Sequence, residues 1–162
     1  MKIETFTLRS NDTGGIATLR QVHPDCGGSN ISPQLSWINS PQDTRSFAIT
    51  MFDKDAPVDG GFWHWLMFDI PANVTELPAD AGNTFRRLAP ASVIQSINDY
   101  GKHGYGGPNP PHGHGWHNYT ITLYALDIDT LGLSKDTPPA LVGFHLWKHT
   151  LAKASIVFYY RN

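Results

Sequence analysis

Three scarcities bound what this chain can be. Cys26 is the only cysteine among 162 residues, so no disulfide can close within the chain, and the cystine-stapled scaffold of many small secreted domains is excluded. The lone thiol reads as a small packed side chain. No charge of one sign dominates: 12 Lys and Arg stand against 14 Asp and Glu, a formal net of −2. The broad basic field that would hold a nucleic-acid backbone is missing, so nucleic acid is not expected as a partner. Long apolar runs are lacking too. No stretch approaches the roughly 20 apolar residues of a membrane span. The opening Met1-Lys2-Ile3-Glu4-Thr5-Phe6 shows no charged segment followed by an apolar one, so a cytoplasmic location is expected.

What is present suits one globular domain over residues 1–162. Hydrophobic residues make up 40% of the chain and include five tryptophans, enough to bury a core unaided. Runs rich in β-branched and aromatic residues predict strands at 3–8, 35–38, 47–52, 63–70, 119–126 and 156–160. Turn formers such as Gly14-Gly15, Gly27-Gly28, Asp59-Gly60-Gly61 and Pro71-Ala72-Asn73 separate them, which favours antiparallel pairing. One helix is predicted at 138–153, with Thr137 as N-cap and Pro138 in the first turn. Leu141, Phe144, Trp147 and Leu151 form its apolar stripe, expected to lie on the sheet. The pattern predicts a mainly β sandwich or open antiparallel fold.

Three segments set polar groups beside predicted strands. Asp53-Lys54-Asp55 follows the strand at 47–52, and its carboxylates can bind a cation, hold a loop through backbone N–H groups or orient imidazoles. In Trp63-His64-Trp65, a period of two puts both tryptophans on one face and His64 on the other. His64 there is either a satisfied core histidine or a ligand-binding one. Residues 101–115 hold six of the fifteen glycines and three of the twelve prolines, a stiff, backbone-exposing loop that leads into His117 and resembles an anion nest. It lacks the G-x-x-x-x-G-K-[ST] pattern of a nucleotide loop.

Two catalytic readings compete. His112, His114 and His117, with His103 nearby, could form the zinc site of a metal-dependent hydrolase, if three of them converge and leave a position open for water. Ser29 or Ser32 could serve a hydrolase, but no G-x-S-x-G turn is present. Neither pattern is strong enough to predict an enzyme, and no cofactor or resident metal is expected.

The ordered set of motifs is more specific than any one of them. Asn30-Ile31-Ser32-Pro33 leads to Leu35-Ser36-Trp37. Asp53-x-Asp55-Ala56-Pro57 and Trp63-His64-Trp65 follow, then Gly106-Gly107-Pro108-x-Pro110-Pro111-x-Gly113 with His117-x-Tyr119. Together they resemble the phosphatidylethanolamine-binding protein family, in particular its bacterial, Raf kinase inhibitor-like branch. The resemblance implies a large antiparallel sheet packed on a smaller one. It implies a pocket lined by Asp53, His64, Pro111 and His117, with walls supported by Asp55, Gly107 and Tyr119. The implied ligand is a phosphate or phosphoethanolamine-type headgroup, with a homodimer and a regulated kinase or other protein partner as further implications. Lys54 stands where the family usually has proline, which would loosen the loop carrying Asp53. The sequence stops at Asn162, before the C-terminal helix of eukaryotic relatives, which would leave the pocket more open. Within such a pocket Asp53 would fix an imidazole tautomer, His64 and His117 would donate to the anion, and the loop after Gly106 would add backbone N–H groups.

Overall fold

The computed structural model describes residues 5–162. Strand β1 is Thr7–Arg9, β2 is Gly15–Ile16, β3 is Leu35–Ile38, β4 is Ser46–Asp53 and β5 is Phe62–Pro71. Strands β6 (Glu76–Leu77) and β7 (Ile94–Gln95) are short, and β8 is His117–Leu126. Helix α1, Pro139–His149, runs directly into β9, Thr150–Tyr160. Of the expected strand at 3–8, residues 3 and 4 lie outside the described residues. The other five expected strands are all present, four of them longer than expected.

Two sheets form, as the patterning implied. A small one has the order β1-β3-β6, and a large one the order β2-β9-β8-β4-β5-β7. Pairing is antiparallel except between β2 and β9. The alternating pattern of β8 explains the layering: His117, Tyr119, Ile121, Leu123 and Ala125 are all buried on one face. That face meets Leu8, Leu35, Trp37 and Leu77 of the small sheet in the main core. A second cluster on the far side of the large sheet gathers Ala48, Leu66, Phe68 and Leu126 under Val142 and Leu146 of the helix.

The helix departs from its expected form in three ways. It is N-capped by Pro138, not Thr137, with Pro139 supplying the pre-set φ of the first turn. It stops at His149, because Thr150 turns extended and the following residues pair with β8 from Leu126 onward. Its buried face is Val142 and Leu146, four apart, whereas Leu141, Phe144 and Trp147 face outward, with Trp147 73% exposed, and Leu151 belongs to β9. Two apolar rows compete on one short helix, and Val142 and Leu146 fill the space above Leu66 and Phe68.

A bulge corrects the expected alternation in β5. Phe52 pairs with Trp63 while Met51 pairs with Trp65, so His64 is supernumerary to the ladder. Trp65 consequently packs in the core between the sheets, and Trp63 packs on the helix side. The two tryptophans do not share a face.

Candidate ligand-binding site

The site forms where the inner face of the large sheet runs out. Asp53, the last residue of β4, lies opposite Phe62, the first of β5, and opposite Tyr119 near the start of β8. Three strand ends thus deliver side chains to one corner, around a cavity of about 280 Å³.

Asp53 is buried and fully engaged. Its Oδ1 accepts from the Asp55 backbone N–H at 2.8 Å, and its Oδ2 accepts from His117 Nδ1–H at 2.7 Å. Asp55 in turn accepts from the Asn118 N–H at 2.8 Å, tying the loop to β8. The two carboxylates, not a proline ring, hold this loop, and Lys54 between them points to solvent. Asp53 can only accept, so it holds a proton of His117 on Nδ1 and fixes the ring's orientation. The other ring nitrogen, Nε2, shares a hydrogen bond of 2.7 Å with His114 Nδ1.

His64 behaves differently from expectation. Burial pushes its pKa down to about 4, although the Gly106 carbonyl and the Asp53 charge favour the protonated form. It is therefore neutral near pH 7. Its Nδ1–H donates to the Gly106 carbonyl at 2.8 Å, so Nε2 presents a lone pair, not a donor. An imidazolium pair clamping an anion is not what the geometry provides.

Tyr119 carries a donor without a protein partner. The side chain is fully buried, its hydroxyl has no protein partner among the described residues, and it lines the cavity. Burial, reinforced by the Asp53 charge, raises its pKa, so the hydroxyl stays protonated. A buried hydroxyl without a partner costs stability unless a ligand or water satisfies it.

At the start of the Gly/Pro loop the backbone N–H groups are spent within the protein. The Gly106 N–H donates to the His64 carbonyl at 2.9 Å and the Gly107 N–H to Asn30 Oδ1 at 2.7 Å, while Pro108, Pro110 and Pro111 have none to offer. Nor is its middle exposed: residues 104–108 are buried. A Cβ on Gly107 would come within 2.1 Å of the Gln21 carbonyl oxygen, so only glycine lets the chain pass there.

Asp53, His64, Pro111, His117 and Tyr119 all line the cavity, while Asp55 and Gly107 brace it from behind. Sequence reasoning missed Tyr100 and Asp99. Tyr100 packs against Phe62 and His64 at ring distances of 4.7 and 5.4 Å and donates to the Gly107 carbonyl at 2.8 Å. Burial raises its pKa. Asp99 accepts from the Trp63 N–H at 2.7 Å. Their one available signal was an aromatic residue beside a carboxylate just before Gly101.

The competing histidine cluster does not assemble. His114 reaches His117, but His103 bonds Asp136 at 2.8 Å and His112 is exposed. Among the described residues, no three His, Cys, Asp or Glu side chains are placed to hold a metal ion. Ser32 accepts from the Gly82 N–H, Ser29 is exposed, and neither has a histidine partner. Cys26 is half-buried against Asn109, and burial raises its pKa, which fits a packed thiol.

In sequence and fold the chain is similar to known proteins. The chain is 42% identical over 158 residues to YbhB of Escherichia coli, covering 96% of this chain and 97% of that one. It is 41% identical to YbcL of the same organism over 155 residues, 93% of this chain and 85% of YbcL. The YbcL crystal structure superposes with a TM-score of 0.94 at 38% identity, covering 97% of this chain and 98% of the other. A Mycobacterium tuberculosis relative, 35% identical over 75% of this chain and 54% of its own length, is named a putative lipoprotein. Among the described residues, no helix is long and apolar enough to cross a membrane. The family model for phosphatidylethanolamine-binding protein matches residues 10–161, and on that span, the relatives and the two-sheet fold, the chain belongs to the phosphatidylethanolamine-binding protein family.

Proposed function

We propose that the protein is a binding protein, not a catalyst, for a small phosphate-bearing ligand of phosphoethanolamine type. The single observation that carries this reading is the buried, unpartnered Tyr119 hydroxyl in a cavity that also holds Asp53, Asp99 and a neutral His64. The cavity wall includes two carboxylates and neither lysine nor arginine. A bare dianion is poorly matched to it, whereas a zwitterion sets its ammonium near the carboxylates and its phosphate oxygen on Tyr119. His64 Nε2 then accepts from a P–OH or N–H group of the ligand. A phosphate monoester takes its second proton near pH 6, so binding strengthens as pH falls through about 6. The sign is that expected of protonated imidazoles, but the proton belongs to the ligand.

Calorimetric titration with phosphoethanolamine and with inorganic phosphate at two pH values tests this. Phosphoethanolamine is expected to bind more tightly, and better at the lower pH; equal affinity for both, or no binding to the wild type, would overturn it. His114→Ala frees His117 Nε2 and is expected to tighten binding by a few fold.

The homodimer implied by the family resemblance has a physical candidate in the outward row of Leu141, Phe144 and Trp147. Trp147→Glu is expected to shift the sedimentation coefficient from dimer to monomer. A wild type that sediments as a monomer removes this part of the reading.

A further inference from the structure

Two larger cavities, of about 510 and 600 Å³, adjoin on the other side of Tyr100 and share Thr84 and His103 as walls. Their composition is opposite to that of the headgroup cavity. Lys102 lines one, Arg87 and Lys135 line the other, and no carboxylate lines either. All three cations are exposed and form no ion pair among the described residues, and the neighbouring Asp136 is occupied by His103 at 2.8 Å. Phe85, 94% exposed, belongs to the wall of the first cavity.

The second cavity also runs along a sheet edge. Strand β7 is the last in the six-stranded order, paired with β5 on one side and with no strand on the other, and both of its residues line the cavity. The ladder alternation turns the Gln95 backbone to that open side, whereas the next outward N–H, that of Ile97, is taken by the Lys135 carbonyl at 2.8 Å. An uncovered edge strand can take on another extended chain through backbone hydrogen bonds. Cations beside it select the charge of that chain.

From this juxtaposition we infer that the groove between Lys102 and Lys135 is a docking site for an extended acidic peptide segment of a protein partner, which adds to β7. Its carboxylates meet Arg87, Lys102 and Lys135, and an apolar side chain covers Phe85. The site is separate from the headgroup pocket and does not depend on what that pocket binds. Charge alone would also suit an anionic membrane. The open strand edge favours a peptide, because a lipid surface has no backbone to pair with it.

Fluorescence anisotropy with labelled peptides of alternating glutamate and valine, or lysine and valine, provides the test. The acidic peptide is expected to bind, and to weaken as salt rises. The R87E/K102E/K135E protein should bind it at least about tenfold more weakly, while its phosphoethanolamine titration stays at the wild-type value. Methylating the peptide's backbone nitrogens should weaken binding as well, and the bound peptide should slow hydrogen exchange at Gln95. If the triple variant fails to fold, Lys102→Glu and Lys135→Glu singly must each weaken binding. Absence of acidic-peptide binding, equal binding of the basic peptide, unchanged binding by a folded variant, or indifference to backbone methylation would each overturn the inference. So would charge-dependent capture on phosphatidylglycerol vesicles without peptide binding, which would point to a membrane.

Discussion

The Asp53–Tyr119 pocket and the β7 groove are neighbours that share Tyr100 and little else. In the pocket nearly every polar group is committed: Asp53 holds two donors, His117 is bonded at both nitrogens, and His64 is fixed by Gly106. In the groove Arg87, Lys102 and Lys135 stand free at the surface. A committed site is selective because almost nothing in it can adjust, and its few open valences define the ligand. An uncommitted one attracts by charge and leaves selection to the backbone edge beside it.

This contrast can be broken most decisively by acid. Because the pKa of His64 falls from 6.5 to about 4 on folding, the unfolded chain takes up a proton in that interval and the folded chain does not. Its contribution is therefore fully present above pH 6.5 and is lost as pH falls toward 4, by about 3 kcal/mol. Urea unfolding at stepped pH should show that slope, and His64→Gln should flatten it; an unchanged slope would mean that His64 is not buried neutral. Next in size is Asp53→Ala, which strands the buried His117 Nδ1–H and the Asp55 N–H. It is expected to cost about 2 kcal/mol in the same assay and to abolish phosphoethanolamine binding.

Tyr119→Phe should behave unlike an ordinary core substitution. Its hydroxyl has no partner to lose, so the unliganded protein should be at least as stable, while ligand affinity falls about tenfold, the equivalent of about 1.4 kcal/mol. A large loss of stability with affinity unchanged would show that the hydroxyl serves the fold. The smallest effect belongs to the groove: Lys102→Ala should change stability by less than about 0.5 kcal/mol and leave the phosphoethanolamine isotherm unaltered. A changed isotherm would mean that the two regions are not independent.

Much of this was legible in the sequence where one rule governs. The strand at 35–38 was read with its boundaries, and β4, β5 and β8 were recognised because their apolar patterns follow simple templates. The two-residue strands β2, β6 and β7 are too short to carry a period, and tertiary pairing alone defines them. The helix was found but turned the wrong way, because Leu141, Phe144 and Trp147 make a heavier row than Val142 and Leu146 while the sheet has room only for the lighter one. In the site, Asp53, His64 and His117 stood out as polar residues in apolar surroundings. Asn30 stood out only as part of a motif, with no sign that it holds Gly107 by its side chain from a left-handed backbone position with φ of 57°. The protonation pattern was illegible for a further reason: a histidine's charge depends on burial, and burial depends on every layer packed around it.

The bulge in β5 separates what the sheet needs from what the pocket needs. His64 is the residue that the ladder passes over, so no cross-strand neighbour in β4 holds it and the Gly106 carbonyl fixes its ring instead. One extra residue thus turns a rung of the sheet into a wall of the pocket.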